Sequence, residues 1–168
     1  MKAYGAWRVG KTDMNAAQAI VRAGCCRRLT AALLAARGVT TPAEAREFLR
    51  EDPALLHDPM GMKDMDRAVA RVRAAVETGE TVAVYGDYDV DGITSSSMVT
   101  DYLRSRGVPC TLYIPDRIEE GYGVNAGAVD ALREQGVTLI VTVDCGVTTV
   151  EETAYAAAQG VEMVVTDH

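Results

Sequence analysis

The chain has 168 residues, of which 48% are hydrophobic and 24% charged, and its 17 basic and 24 acidic side chains give a formal net charge of −7. This composition is typical of a globular protein, and no stretch approaches the roughly 18 apolar residues of a membrane span, so we expect no membrane association. The acidic balance argues mildly against a nucleic-acid partner, and four cysteines without a Cys-x-x-Cys spacing indicate reduced thiols and a cytoplasmic location.

Residues 1–79 have the sequence pattern of a helical region. In "TPAEAREFL", Thr41 is a predicted N-cap, Pro42 takes the first helical position and Glu44 completes a capping box. In the preceding "CRRLTAALLAARG", the leucines share one predicted face: Leu29, Leu33 and Leu34. The later "MDRAVARVRAAVETG" repeats apolar residues at helical spacing and ends at Gly79.

Residues 80–168 alternate predicted strands with predicted helices. Short β-branched runs predict strands at residues 81–86, 110–115, 138–143 and 161–165. Helices are predicted between them, at residues 93–106, 125–135 and 148–159. Repeated alternation with short connections favours right-handed crossovers and a parallel sheet with helices on both faces. We therefore predict an α/β domain over residues 80–168, preceded by the helical region.

Each predicted strand is followed by acidic residues at its carboxyl end. They are Asp87, Asp89 and Asp91 after the first strand, Asp116 after the second, Asp144 after the third, and Asp167 with His168 after the fourth. Ligand sites of open parallel sheets lie outside this edge, so these residues are expected to converge on one rim. Capping a turn accounts for Asp116, but one turn does not need the three carboxylates that follow the first strand.

Carboxylates joined by an imidazole favour Mn²⁺ or Mg²⁺ over zinc or copper. Two such cations, ~3.5–4 Å apart, would activate water for a phosphoryl displacement. They would also neutralise the acidic rim, so the net charge does not exclude a nucleic-acid partner. No glycine-rich phosphate-binding motif competes with this interpretation. Two hydroxyls at the start of the next predicted helix, Ser95 and Ser96, could hold a phosphate or simply cap the helix.

Three motifs resemble those of the DHH phosphoesterase superfamily, namely "VAVYGDYDVDGITS", "VTVDCGV" and "VVTDH". The form "YGDYDVDG" and the upstream "RGVTTPAEAREFL" are similar to the superfamily's single-strand-specific DNA exonucleases, which act from the 5′ end. The resemblance implies two bound cations, Mn²⁺ or Mg²⁺, with catalytic ligands at Asp89, Asp91, Asp144 and His168. In that arrangement Asp89 and Asp91 each bind one cation and Asp144 bridges the two. Asp87 would either bind a cation directly or support the ligands without binding a cation itself.

By the same resemblance, Arg117 in "YIPDRIEEGYGVN" would contact DNA phosphate, with an ordinary loop as the alternative. The implied function is a metal-dependent phosphodiesterase that degrades single-stranded DNA from the 5′ end to mononucleotides in DNA repair and recombination, with single-strand-binding proteins or helicases as partners. A DHH phosphatase of short oligonucleotides or small nucleotides, and a non-catalytic binding protein of the same fold, stay open as alternatives. Since the sequence stops inside the Asp-His-His motif, we expect an amino-terminal fragment that is weakly active or inactive alone.

Overall fold

The structure, a computed structural model, describes residues 10–168 and divides the chain into two compact units. The first unit ends at His57, and the second comprises Asp58–His168. Helices of the first unit are α1 (Met14–Arg22), α2 (Arg28–Ala36) and α3 (Pro42–Phe48). The N-terminus of α3 has the predicted capping box, in which the Thr41 hydroxyl accepts from the Glu44 amide at 3.2 Å and the Glu44 carboxylate accepts from the Thr41 amide at 3.0 Å.

The leucine stripe predicted for α2 is wrong at two of its three positions. Leu34 is buried, but Leu29 is 74% and Leu33 51% exposed. The face that packs on α1 is built from Leu34 with the small side chains Ala31 and Ala35. Alanines allow the two short helices to approach closely, and this close packing determines which stripe of α2 is buried.

The second unit is an α/β structure with a four-stranded sheet. Its strands are β1 (Thr81–Tyr85), β2 (Cys110–Tyr113), β3 (Val137–Val143) and β4 (Glu162–Thr166). Its helices are α4 (Met65–Thr78), α5 (Val90–Ser105), α6 (Ala126–Glu134) and α7 (Val150–Ala158). All strand pairs are parallel, and the strand order is β2-β1-β3-β4. The predicted fold class, a parallel sheet covered by helices and preceded by a helical region, is confirmed.

Alternate residues of the central strands serve two separate cores. In β1, Val82 and Val84 pack with α4 and α5 on one face, whereas Ala83 and Tyr85 pack with α6 and α7 on the other. This period of two is what a strand buried on both faces requires. Because the apolar stripe of α4 belongs to the first of these cores, the division between the compact units lies at residues 57 and 58, whereas the sequence prediction placed the domain boundary at residues 79 and 80.

A polar network joins α4 to the amino-terminal side of the sheet. The Arg71 guanidinium pairs with Glu80 at 2.7 Å and also with Glu162 of the edge strand β4. The Glu80 carboxylate accepts a further hydrogen bond from the Thr138 hydroxyl at 2.7 Å. This network lies at the opposite end of the strands from the acidic rim.

Among the described residues, no helix is long and apolar enough to cross a membrane.

Candidate metal centre

The strand order creates a crevice at the carboxyl edge between β1 and β3. From β1 the chain crosses to β2 on one side, whereas β3 leads to β4 on the other. The segments that leave β1 and β3 therefore diverge, and open α/β sheets bind their ligands at such a point. Asp87, Asp89 and Asp91 follow β1 and Asp144 follows β3, so the predicted acidic residues lie on both sides of this crevice.

Carboxylates from both strands meet in a first group made of Asp87, Asp89 and Asp144. One oxygen from each lies within 4.8 Å of the others, a separation that one cation can span. The Asp87 residue is only 5% exposed, and its Oδ1 has no hydrogen-bond partner in the described structure. Burying a carboxylate oxygen without a donor is costly, and two further carboxylates beside it raise that cost. A bound cation would compensate this charge.

Two glycines hold the first group in place through close approach. Gly92 lies in the first turn of α5, and a Cβ at this position would overlap the backbone of Asp87. A Cβ on Gly86 would overlap the Oγ of Ser96, which is fully buried. The sequence "GDYDVDG" therefore needs glycine at both ends, because the end of the strand lies directly against the start of the helix.

Asp89 and Asp91 have different surroundings. The Asp89 side chain is the N-cap of α5 and its Oδ1 accepts hydrogen bonds from the amides of Asp91, at 2.8 Å, and Gly92, at 3.1 Å. Asp91 lies in the first helical turn, is exposed, and belongs to neither of the two groups of ligand atoms found among residues 10–168. Asp91 is thus the one predicted ligand that the structure does not place in either group.

Asp144 also belongs to a second group, with Asp167 and His168. The Nε2 of His168 is 3.3 Å from Oδ1 of Asp144. Asp167 instead holds the backbone, because its carboxylate accepts from the amides of Val147 and His168, each at 2.9 Å. Asp144 is the only described residue shared by both groups, and it occupies a left-handed backbone conformation with φ of 59°.

The electrostatic environment of Asp144 favours a cation. Burial is the main cause that raises the pKa of Asp144 above its ordinary value, and the negative charge of Asp89 raises it further. The His168 imidazole opposes this shift, while the charges of Asp91 and Asp167 add to it. A carboxylate whose charged form is disfavoured in this way gains stability from a positive partner.

The loop after β2 is attached to the sheet by a tyrosine network that sequence reasoning missed. The rings of Tyr85 and Tyr113 stack with centroids 5.0 Å apart. The Tyr113 hydroxyl donates to Glu120 at 2.6 Å, and the Tyr85 hydroxyl donates to the Gly123 carbonyl at 2.9 Å. Burial raises the pKa of Tyr113 to about 12, so both it and the more deeply buried Tyr85 stay protonated donors. The only signal in the sequence was the tyrosine at the end of each strand.

The structure gives three different results for the remaining predicted residues. Asp116 caps a turn as expected, since its Oδ1 accepts from the amides of Ile118 and Glu119 at 2.8 and 3.0 Å. Ser96 is completely buried, because the helix turns it towards Gly86 and the sheet, and its Oγ has no hydrogen-bond partner in the part of the chain that the structure describes. This burial does not favour the predicted phosphate contact of Ser96. Ser95 is partly exposed, and Arg117 is exposed.

Comparisons with known proteins agree with this architecture. Residues 81–168 match the DHH family, N-terminal domain. The chain is 37% identical over 162 residues to the single-stranded-DNA-specific exonuclease RecJ of Bacillus subtilis, a match that covers 96% of this chain and 21% of that protein. It therefore spans about a fifth of the length of this curated relative.

Solved structures with the same fold include two RecJ crystal structures. One, of exonuclease RecJ bound to manganese, is 35% identical with a TM-score of 0.61, over 67% of this chain and 29% of that chain. The other, of RecJ from Thermus thermophilus in complex with Mn²⁺, is 26% identical with a TM-score of 0.61, over 95% of this chain and 22% of that chain.

Proposed function

Because the chain belongs to the DHH family, we propose that its acidic rim binds two divalent cations, Mn²⁺ or Mg²⁺, and takes part in hydrolysing phosphodiester bonds of single-stranded DNA. The observation that carries this proposal is the position of Asp144, which is shared by the two groups of ligand atoms. A carboxylate shared in this way can bridge two cations, as two-metal phosphoryl-transfer sites require.

The residues present fit such a pair of cations. Asp89 and Asp91 would each bind one, Asp144 would lie between them, and His168 would add an imidazole beside Asp144. The buried and unpartnered Oδ1 of Asp87 supports a cation in the first group. Asp91 enters the proposal by its position in the motif alone, because its carboxylate lies apart from both groups.

Each of the chain's own groups has a definable task in this mechanism. When bound, the cations would supply a Lewis-acidic centre that activates water and neutralises charge at phosphorus. Asp89 fixes the start of α5 by accepting hydrogen bonds from two backbone amides. Asp167 likewise accepts hydrogen bonds from two backbone amides and so holds the segment that carries His168. Ser95 and Arg117 are the proposed contacts of the substrate phosphate.

The substrate and the biological setting are inferred from relatives. The curated relatives are named single-stranded-DNA-specific exonucleases. By that similarity we propose single-stranded DNA as the partner, degradation from the 5′ end to mononucleotides, and a role in DNA repair and recombination in the cytoplasm. Single-strand-binding proteins and helicases are further proposed partners on the same basis.

The experiment uses a chimera in which this chain replaces the 162 matched residues of B. subtilis RecJ. With Mn²⁺ and a labelled single-stranded oligonucleotide, we expect release of mononucleotides. Asp144→Ala should reduce the rate by roughly 100-fold or more, because the shared ligand is lost. Asp101→Ala, which removes an exposed carboxylate of α5, is the matched control and should leave the rate unchanged.

Cleavage by the Asp144→Ala chimera at a rate close to that of the unsubstituted chimera would contradict the two-cation site. Comparing a long single strand with a dinucleotide in the same assay distinguishes an exonuclease from a phosphatase of short oligonucleotides. Preference for the dinucleotide would favour the second of these.

A further inference from the structure

Arg117 belongs to a strongly acidic unit and, among residues 10–168, has no ionic partner. Residues 58–168 contain 19 acidic and 8 basic side chains, a net charge of −11. Even so, the ion pairs formed by residues 10–168 do not include Arg117. Its guanidinium carbon lies 5.2 Å from the centroid of the Tyr88 ring, over the ring face. Its guanidinium is thus in contact with an aromatic ring and not with a carboxylate.

Both residues of this cation–π contact lie on well-anchored backbone. Tyr88 is half-buried between Asp87 and Asp89, and the Asp87 backbone is in contact with Gly92 of α5. On the other side, the turn around Arg117 is closed by Asp116, whose amide also donates to Glu120 at 2.8 Å. The guanidinium thus contacts a ring whose neighbours in the chain, Asp87 and Asp89, both belong to the first group of carboxylates.

A cation–π contact leaves the hydrogen-bond donors of an arginine available. A guanidinium that lies on an aromatic face keeps its five N–H groups at its own edge, where they can bind a phosphate through two parallel hydrogen bonds. An ion pair with a neighbouring carboxylate would occupy those donors. The Tyr88 ring holds the cation without competing for the groups that recognise phosphate.

We propose that Tyr88 is a positioning residue, whose ring holds Arg117 beside the metal-binding rim so that the guanidinium can bind a phosphate of single-stranded DNA. This inference rests on the proposed function and adds to it a role for a residue that is not itself a metal ligand. The tyrosine hydroxyl has no part in it. The ring face alone is required, so phenylalanine can replace tyrosine and leucine cannot.

The test is a double-mutant cycle on this chain, read by fluorescence anisotropy of a labelled oligothymidylate in the presence of Mn²⁺. Arg117→Ala should weaken binding about tenfold, because a charged contact to phosphate is lost. Tyr88→Leu should weaken binding about threefold, and Tyr88→Phe should bind like the unsubstituted chain. In the Arg117→Ala background, Tyr88→Leu should have no further effect, because the residue it positions is gone.

Two controls separate positioning from a general structural role. Calorimetric titration with Mn²⁺ should give the same affinity for the Tyr88→Leu chain as for the unsubstituted one. Tyr102→Leu and Arg133→Ala replace an exposed tyrosine and an exposed arginine elsewhere in the same unit and should leave oligothymidylate binding unchanged.

Three results would overturn the inference. Equal losses from Tyr88→Leu with and without Arg117 would mean that the ring acts on its own, for example by stacking on a base. A weakened Mn²⁺ affinity in Tyr88→Leu would assign the ring to the folding of the metal site, and an unchanged oligothymidylate affinity would remove its role altogether. Failure of the unsubstituted chain to bind oligothymidylate while it binds Mn²⁺ would instead contradict the proposed substrate. This result differs from one in which the chain binds oligothymidylate but Tyr88 and Arg117 show no coupling.

Discussion

Asp87 has a carboxylate oxygen that is buried without a hydrogen-bond donor and lies beside two other carboxylates. The close approach of Gly92 fixes its backbone, so the side chain cannot relax by moving the strand end away from α5. Such a residue destabilises the fold in the absence of a cation and stabilises it once one is bound. The alternating aspartates of the motif predicted this acidic cluster, but only the folded structure identifies Asp87 as its most buried member.

This property of Asp87 can be measured through thermal unfolding. Without metal, Asp87→Asn should raise the melting temperature by several degrees, equivalent to about 1 kcal/mol, because a buried charge is removed. The increase in melting temperature on adding Mn²⁺ should become smaller. Asp101→Asn is the control for an exposed carboxylate. A lower melting temperature without metal, combined with an unchanged response to Mn²⁺, would contradict this account.

Elements of the fold were predictable to the extent that their signals are local. The Thr41, Pro42 and Glu44 pattern predicted the start of α3 because all of its contacts lie within one turn. The face of α2 was mispredicted because burial of Leu29 and Leu33 depends on how α1 packs, which is not local. Strand order has the same non-local origin, and no residue pattern indicated that β1 lies between β2 and β3.

The contact of α4 with the sheet is also non-local, and it provides a test by pH. Hydrogen bonds from Arg71 are the main cause that lowers the pKa of Glu80 to about 2, and the Thr138 hydroxyl adds to the effect. A carboxyl whose folded-state pKa lies below its ordinary value of 4.5 stabilises the fold above that pH. This stabilisation is lost as the pH falls from there towards about 2.

Glu80→Gln should therefore lower the free energy of unfolding at neutral pH, measured by urea denaturation. The difference from the unsubstituted chain should shrink as the pH falls below the ordinary carboxyl range. Glu134→Gln, an exposed acid near the end of α6, is the matched control and should show no such difference. A difference that stayed constant down to low pH would show that lost packing, and not the ionised carboxylate, was responsible.

In the molecule as a whole, the second unit is an α/β scaffold in which Asp87, Asp89 and Asp144 meet at one edge of the sheet. From the resemblance of three sequence motifs to the DHH family, Asp89, Asp91, Asp144 and His168 were predicted as ligands, and their role as ligands stays a prediction. The structure places Asp89, Asp144 and His168, but not Asp91, in groups of side chains that could hold a metal ion. The sharing of Asp144 between two groups follows from the adjacency of β1, β3 and β4, which the sequence alone could not predict. The contact of Arg117 with the Tyr88 ring could not be predicted from the sequence either, because the two residues lie on different loops.

The central claim is that the acidic rim is a metal site organised around Asp144. Calorimetric titration of this chain with MnCl₂ tests it most directly, because the measurement counts bound cations without requiring a substrate. We predict two Mn²⁺ per chain, and we predict that Asp144→Asn weakens the binding of both while Asp101→Asn, the exposed control, weakens neither. A chain that binds no Mn²⁺, or an Asp144→Asn titration identical to that of the unsubstituted chain, would contradict the claim.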